Sequence, residues 1–220
     1  AVSLAAAALS GCDVPRDSHG TSRRVQGAEL RAGVMDARPF AAWDGPEPSG
    51  PEPDLVRRLA AELGARITWV RGSETTLLAA LEHHEVDLVV GGLLRDTPYA
   101  PRVGLTAAYA RYELAVAAPP GGHLDDGPVA VEPHRHVTAL VRRSGRVVAE
   151  TARPGSSGGP AAGYDFELAA WGKSGPREVL AREEHAFAVP PGEHAWVSRV
   201  EGFLRREAPS LRARLEEDAK

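Results

Sequence analysis

The 220-residue chain has a single cysteine, Cys12, so a framework of internal disulfides is excluded. It also lacks an excess of positive charge, since the net charge is −4 and the pI is near 6.1. No run of arginine or lysine is long enough for a nucleic-acid-binding arm. The GxSxG, P-loop and GxGxxG motifs are absent as well. We therefore expect no nucleic-acid partner and no cofactor. What is present, 43% hydrophobic and 25% charged residues, suits one large domain or two small ones.

Two pairs of histidines lie close together in the sequence, His83 with His84 and His134 with His136. Neither pair has the HxxxH or cysteine–histidine spacing that is typical of a metal site. We therefore interpret these histidines as exposed side chains and expect no metal.

The longest apolar feature is the opening segment AVSLAAAALSGC, which is too short to span a bilayer and has the character of a secretory signal. Its last four residues, LSGC, resemble the lipobox of bacterial lipoproteins, whose cysteine becomes the lipidated first residue after cleavage. We predict a signal-peptide fragment over 1–11, lipidation at Cys12 and a flexible tether over 12–26. The alternative is a small apolar cysteine in an ordinary signal or a frayed helix.

After this segment, strand and helix patterns alternate. ELRAGVM predicts a strand over 30–34, DLVRRLAAELG a helix, ARITWV a strand, SETTLLAALEHH a helix and VDLVV a strand. Such alternation predicts a parallel sheet covered by helices. Ligands bind such sheets outside the carboxyl ends of the strands, so the loops MDARPF, RGSETT and GGLLRDTPY are expected to wall a pocket.

The second half of the chain continues with shorter elements. YELAVAAPPGG predicts a strand, and GPVAVEPHRHVTALVRRSGRVVAE a strand, a helix and a strand. ARPGSSGGPAAG is interpreted as a loop before a helix in YDFELAAWG, and EEHAFAVPPGEHAW as a strand and turn before a helix with Trp196. The tail after Pro209 predicts a last surface helix.

From LRAGVMDARPF to DTPYAPRVGLTAAY the chain resembles the bacterial extracellular solute-binding protein family 3, the substrate-binding proteins of polar amino acid ABC importers. The similarity runs from Leu30 to about Val116 and returns in HAFAVPPGEHAW. It implies a two-lobed α/β fold of the type II periplasmic-binding-protein kind, with two crossover strands. Lobe one would hold residues 25–109 and 192–220, and a short lobe two residues 110–191.

The resemblance also implies a function. The chain would bind a small polar solute, amino-acid-like or cationic, and pass it to an ABC permease. It would be a monomer anchored by lipid on the outer face of the bacterial cytoplasmic membrane, in the periplasm or at the cell surface. Two alternatives stay open: a dehydratase-like enzyme on the same scaffold, with Glu74 as its general acid or base, and a degenerate sensory or interaction domain.

In the family pattern a threonine follows the third strand, and an arginine five residues later pairs with the α-carboxylate of the ligand. An ungapped alignment puts Leu94 and Tyr99 at these positions, and neither can replace a guanidinium. Arg95 or Arg102 could reach in from nearby, or could equally be solvated surface residues.

Glu74 falls where the family places an aromatic side chain. It could meet a cationic group, or simply favour the first helical turn after Ser73. The aromatic candidates could equally be core residues, and the two glycines could equally serve a sharp turn. The full set of predicted ligand contacts is Asp36, Arg38, Phe40, Trp43, Glu74, Gly91, Gly92, Leu93, Arg95 and Tyr99.

Overall fold

The protein is described by a computed structural model that covers residues 17–133 and 136–219. The predicted signal-peptide fragment, Cys12 and His134 lie outside the described residues.

The first of two sheets contains strands β1 to β4 and β10, numbered along the chain, in the order β2-β1-β3-β10-β4. Their bounds are β1 Glu29–Val34, β2 Arg66–Arg71, β3 Leu88–Val90, β4 Gly104–Leu105 and β10 Ala188–Val189. β1 runs parallel to both β2 and β3, and Val34 pairs with Arg71 on one side and Val90 on the other. The three strands therefore end at one edge, as the alternating pattern predicts.

The second sheet contains β5 to β9 in the order β7-β6-β8-β5-β9. Their bounds are β5 Ala110–Ala117, β6 Val129–Val131, β7 Val148–Glu150, β8 Ala161–Tyr164 and β9 Arg177–His185. The chain passes from the first sheet to the second between β4 and β5 and returns between β9 and β10. Two mixed five-stranded sheets joined by two crossings confirm the predicted α/β fold.

Six α-helices cover the sheets in the described part of the chain. They are α1 Thr21–Val25, α2 Pro51–Leu63, α3 Glu74–Glu82, α4 Val137–Arg143, α5 Asp165–Ala170 and α6 His194–Asp218. α2 has proline at its first position and ends at Gly64, whose left-handed φ of 63° forms the expected cap. Within the described residues, none of the helices combines the length and the apolar character that a membrane crossing requires.

The flexible tether predicted over 12–26 does not extend to residues 17–26. Helix α1 lies there, and Val25 is fully buried in the main core while Thr21 is also buried. Because Val25 is surrounded by polar residues in the sequence, a prediction from composition does not identify it as a core residue.

Two further predictions are wrong. The loop assigned to ARPGSSGGPAAG ends in β8, whose four residues are all buried. The predicted surface helix after Pro209 is the second half of α6, which continues through that proline. Leu211 and Leu215 are fully buried there, because α6 packs against both α2 and α5. Since one helix contacts elements of both sheets, the lobe boundaries stay a prediction.

Candidate functional site

A cavity of about 600 Å³ opens at the carboxyl edge of β1, β2 and β3. Each of the three predicted loops supplies part of its wall, and His136, next to α4, supplies another part. The lining residues are Met35, Asp36, Ala37, Gly72, Ser73, Glu74, Gly91, Gly92, Leu94, Asp96, Thr97, Pro98 and His136. Four of the ten predicted contacts therefore meet at one cavity.

Glu74 stands at the first position of α3 and also lines the cavity. The Ser73 hydroxyl caps the helix by accepting a hydrogen bond from the Thr76 amide at 3.2 Å. The Thr97 hydroxyl donates to the Glu74 carboxylate from across the cavity wall. The carboxylate therefore complements the helix dipole and also lines the cavity, while its contact with a cationic group stays a prediction.

The cavity carries negative charge. Asp36, Glu74 and Asp96 line it, and among the described lining residues none is arginine or lysine. Asp36 is partly neutralised, because Arg71 Nη2 lies 3.0 Å from its Oδ2. The arrangement favours a cation over an anion.

Gly91 and Gly92 form the turn that follows β3, with φ of 118° and 69°. Their amides point to a buried side chain: Gly91 N–H donates to Glu52 Oε2 at 2.6 Å, and Gly92 N–H donates to Glu52 Oε1 at 3.1 Å. The Tyr109 hydroxyl donates to the same carboxylate. The glycines line the cavity, but these amides are occupied by Glu52 and are not free to bind a solute.

Glu52 is a site residue that sequence reasoning did not find. It is fully buried in the first turn of α2. Burial raises its pKa, and the hydrogen bonds from Tyr109 and the Gly91 amide only partly offset this. The sequence offers one signal, an acidic residue in SGPEPDL, but the first turn of a helix explains that residue equally well.

His136 brings the second sheet to the cavity. Its Nε2 lies 2.8 Å from Oε1 of Glu183, while the Tyr164 hydroxyl donates to Oε2 at 2.9 Å. Burial raises the Glu183 pKa, but the bonds from His136, His185 and Tyr164 outweigh burial and lower it to about 2. The sequence predicts an exposed histidine here. About half of the His136 side chain is exposed, but the imidazole also pairs with the buried Glu183, which the sequence does not predict.

Two aromatic candidates are core residues. Phe40 is buried, with its ring centroid 4.4 Å from that of His185 and 5.2 Å from that of Tyr164. Trp43 donates its indole N–H to the Val34 carbonyl at 3.1 Å and packs against the core. Both side chains pack the loop after β1 against the core.

The remaining candidates also lie outside the cavity wall. Leu93 is buried in a small core cluster, and Arg38 pairs with Asp44 beside a second cavity. Arg95 is exposed, and only its backbone is fixed, by the Glu184 carbonyl at 2.9 Å.

Tyr99 stands at the position of the missing carboxylate clamp, and Arg102 lies three residues after it. The Tyr99 hydroxyl is 2.8 Å from that of Thr75, and Arg102 pairs with Glu82 at 2.7 Å. Neither Arg95 nor Arg102 is among the residues that line the cavity, and a role for either as a replacement clamp stays a prediction.

A comparison with protein-family models agrees with this geometry. Residues 30–217 match the model of bacterial extracellular solute-binding proteins, family 3. The chain belongs to this family. Its members are mostly binding proteins without catalytic activity, and they act outside the cytoplasm. No curated protein sequence matches the chain.

Solved structures share the fold of this family 3 protein at low sequence identity. An ancestral cationic amino acid solute binding protein matches with a TM-score of 0.69 and 18% identity, over 90% of this chain and 98% of its own. A binding component of an ABC transporter from Wolinella succinogenes, complexed with lysine, matches with 0.61 and 17% over 86% and 94%. An ancestral cyclohexadienyl dehydratase matches with 0.55 and 18% over 86% and 91%. These likenesses support the type II periplasmic-binding-protein fold.

Proposed function

We propose that this family 3 protein captures a small cationic or neutral polar solute in the 600 Å³ cavity and delivers it to an ABC importer. The observation that carries the proposal is the set of three carboxylates, Asp36, Glu74 and Asp96, at the carboxyl edge of the first sheet. The volume lies in the range of about 300–1,000 Å³ that is usual for small-molecule sites.

The charge argument distinguishes between classes of solute. An α-carboxylate placed here would meet like charge and would lack the arginine that family members use. By analogy with truncating a buried charge pair, this handicap is about 2–5 kcal/mol. A primary ammonium or a guanidinium would instead gain an ion pair with Glu74, whose carboxylate is already positioned by Thr97. Fold neighbours named for cationic amino acids and for lysine are consistent with this choice.

Glu74 allows a direct test of the charge argument. The full chain is titrated calorimetrically with lysine, arginine, putrescine, glutamine and glutamate after a thermal-shift screen, since a ligand of the folded state raises apparent stability. We expect Glu74→Gln to weaken the cationic solutes about tenfold or more, which is about 1.4 kcal/mol, and glutamine by less than threefold. Glu85→Gln, at an exposed carboxylate just beyond α3, is the matched control.

Two results would contradict the proposal. Tight glutamate binding that survives in Glu74→Gln would overturn the charge argument. A complete absence of stabilising solutes would favour the degenerate sensory or interaction domain over a transport protein.

We also propose that Cys12 carries a lipid that anchors a monomeric domain at the outer face of a bacterial cytoplasmic membrane. The support is the lipobox-like LSGC segment ahead of a domain whose family acts outside the cytoplasm. Fractionation of cells that express the chain tests this: Cys12→Ala should move the protein from the membrane fraction to the soluble fraction. An unchanged membrane fraction would place the anchor elsewhere.

A further inference from the structure

The geometry points to a second binding site, for Zn²⁺, formed by His19, His84 and Glu193. These residues come from three separate segments: the stretch before α1, the turn after α3, and the residue before α6. One nitrogen or oxygen atom from each lies within 4.8 Å of the others. His84 precedes β3, so the cluster lies at the amino edge of the first sheet and the solute cavity lies at the carboxyl edge.

One of the three ligand–ligand distances matches a tetrahedral zinc site. Two ligands about 2.0–2.2 Å from a tetrahedral zinc ion are about 3.3–3.5 Å apart. His19 Nδ1 and Glu193 Oε1 are 3.4 Å apart. The two imidazole rings are stacked, with centroids 3.7 Å apart and planes tilted by 37°, so the half-buried His84 ring would have to turn out of this stack to complete a three-ligand set.

His84 contributes a buried nitrogen to this cluster. It follows the C-terminal cap of α3 and has a positive φ of 55°, as expected for a helix end where the Glu85 amide donates to the Ala80 carbonyl. Its Nδ1 is buried and has no hydrogen-bond partner within that part of the chain. A buried nitrogen lone pair or N–H without a partner is unfavourable, and a metal ion would satisfy a lone pair there.

Glu193 is held as a metal-binding carboxylate would be. Its side chain is fully buried, with Oε1 accepting from the His19 amide at 2.7 Å and from the Ser18 hydroxyl at 3.0 Å. Oε2 accepts from the Thr21 amide at 2.9 Å. Such outer hydrogen bonds orient a ligand before metal arrives.

Two arginines beside His84 already pair with a carboxylate. Arg24 and Arg31 face His84 on the same edge, and both pair with the buried carboxylate of Asp87. Two imidazoles with a carboxylate select a late first-row cation such as Zn²⁺ over Ca²⁺ or Mg²⁺, which prefer oxygen ligands. A bound ion would fasten the segment before α1 to the sheet.

Calorimetric titration with ZnCl₂ tests the site, using the full chain purified without a polyhistidine tag. The first variant is His19→Ala, whose side chain is 60% exposed, so the fold is expected to persist. The second is His84→Asn, since asparagine tolerates the left-handed backbone. The matched control is His83→Ala, which removes an exposed imidazole one residue away.

We expect wild type to bind one Zn²⁺, each of the two variants to bind at least tenfold more weakly, and the control to stay within twofold of wild type. Co²⁺ should give wild type the intense visible absorption of a tetrahedral site, and His19→Ala should lose it. The proposal is overturned if wild type binds no zinc, if both variants bind as wild type does, or if His83→Ala weakens binding as much as they do.

Discussion

Replacing Glu52 by alanine should destabilise the domain strongly, because this side chain holds the loop that walls the cavity. The carboxylate accepts hydrogen bonds from the amides of Gly91 and Gly92 and from the Tyr109 hydroxyl. It is fully buried, so water reaches these three donors poorly once the carboxylate is gone.

The magnitude follows from the three donors. A buried donor left without a partner costs about 1–3 kcal/mol, which gives about 3–9 kcal/mol for three. Water that enters the vacated space would recover part of this, so we expect a loss of about 3–5 kcal/mol, similar to breaking a buried charge pair. Glu52→Gln should lower the free energy of unfolding by only about 1–2 kcal/mol. The glutamine oxygen can still accept hydrogen bonds from the two glycine amides, while its NH₂ group donates to the Tyr109 oxygen.

Urea unfolding followed by circular dichroism measures these losses. With a slope of about 2 kcal/mol/M, the alanine variant should unfold at about 2 M less urea than wild type. Glu62→Ala is the control, because Glu62 lies on the same helix but forms a surface pair with Arg206, worth about 0–1 kcal/mol. If Glu52→Ala lies within 1 kcal/mol of Glu62→Ala, the carboxylate does not hold the loop and the reasoning fails.

Two further predictions follow from the same surroundings. Gly91→Ala should cost at least 2 kcal/mol more than Gly127→Ala in urea unfolding. Both glycines have positive φ, but a Cβ at Gly91 would lie 2.8 Å from the Met35 backbone nitrogen, while a Cβ at Gly127 meets nothing within 4 Å; equal costs would refute the clash. Because folding lowers the Glu183 pKa from 4.5 to about 2, its contribution to stability is present above pH 4.5 and is lost as pH falls through 2. Glu183→Gln should flatten this part of the stability–pH curve, and an unchanged curve would rule out Glu183 as its source.

The elements that the sequence predicts well are those with strong local signals. Helix α2 has an apolar face, a proline at its start and a glycine cap, and α3 has the Ser73 cap. Their periodicity, the Gly64 cap and the Ser73 cap can be recognised without tertiary information, although the predicted helix starts at Asp54 and α2 starts at Pro51. The common edge of the first three strands then follows from the connections, and it places the cavity.

The elements that were missed depend on tertiary contacts. β8 begins with Ala161, Ala162 and Gly163, whose small side chains give no strand pattern, yet they lie in the centre of a sheet. In the sequence Glu52 looks like an ordinary acidic residue in the first turn of a helix. Only the fold shows that its carboxylate accepts hydrogen bonds from the amides of a loop 39 residues away. His19 and His84 meet because α1 packs on the sheet, so no local spacing rule could pair them.

The short strand β3 shows why buried carboxylates matter to the cavity. Three residues give few ladder hydrogen bonds, so pairing alone holds β3 weakly in register. Just before the strand, the buried Asp87 carboxylate accepts from the Arg31 amide at 2.9 Å and from its guanidinium at 2.6 Å. Just after it, the Gly91 amide donates to Glu52 at 2.6 Å. Because a buried acid fixes the chain on each side of β3, the loop that follows can serve as a rigid wall, and a solute need not provide the free energy to order it.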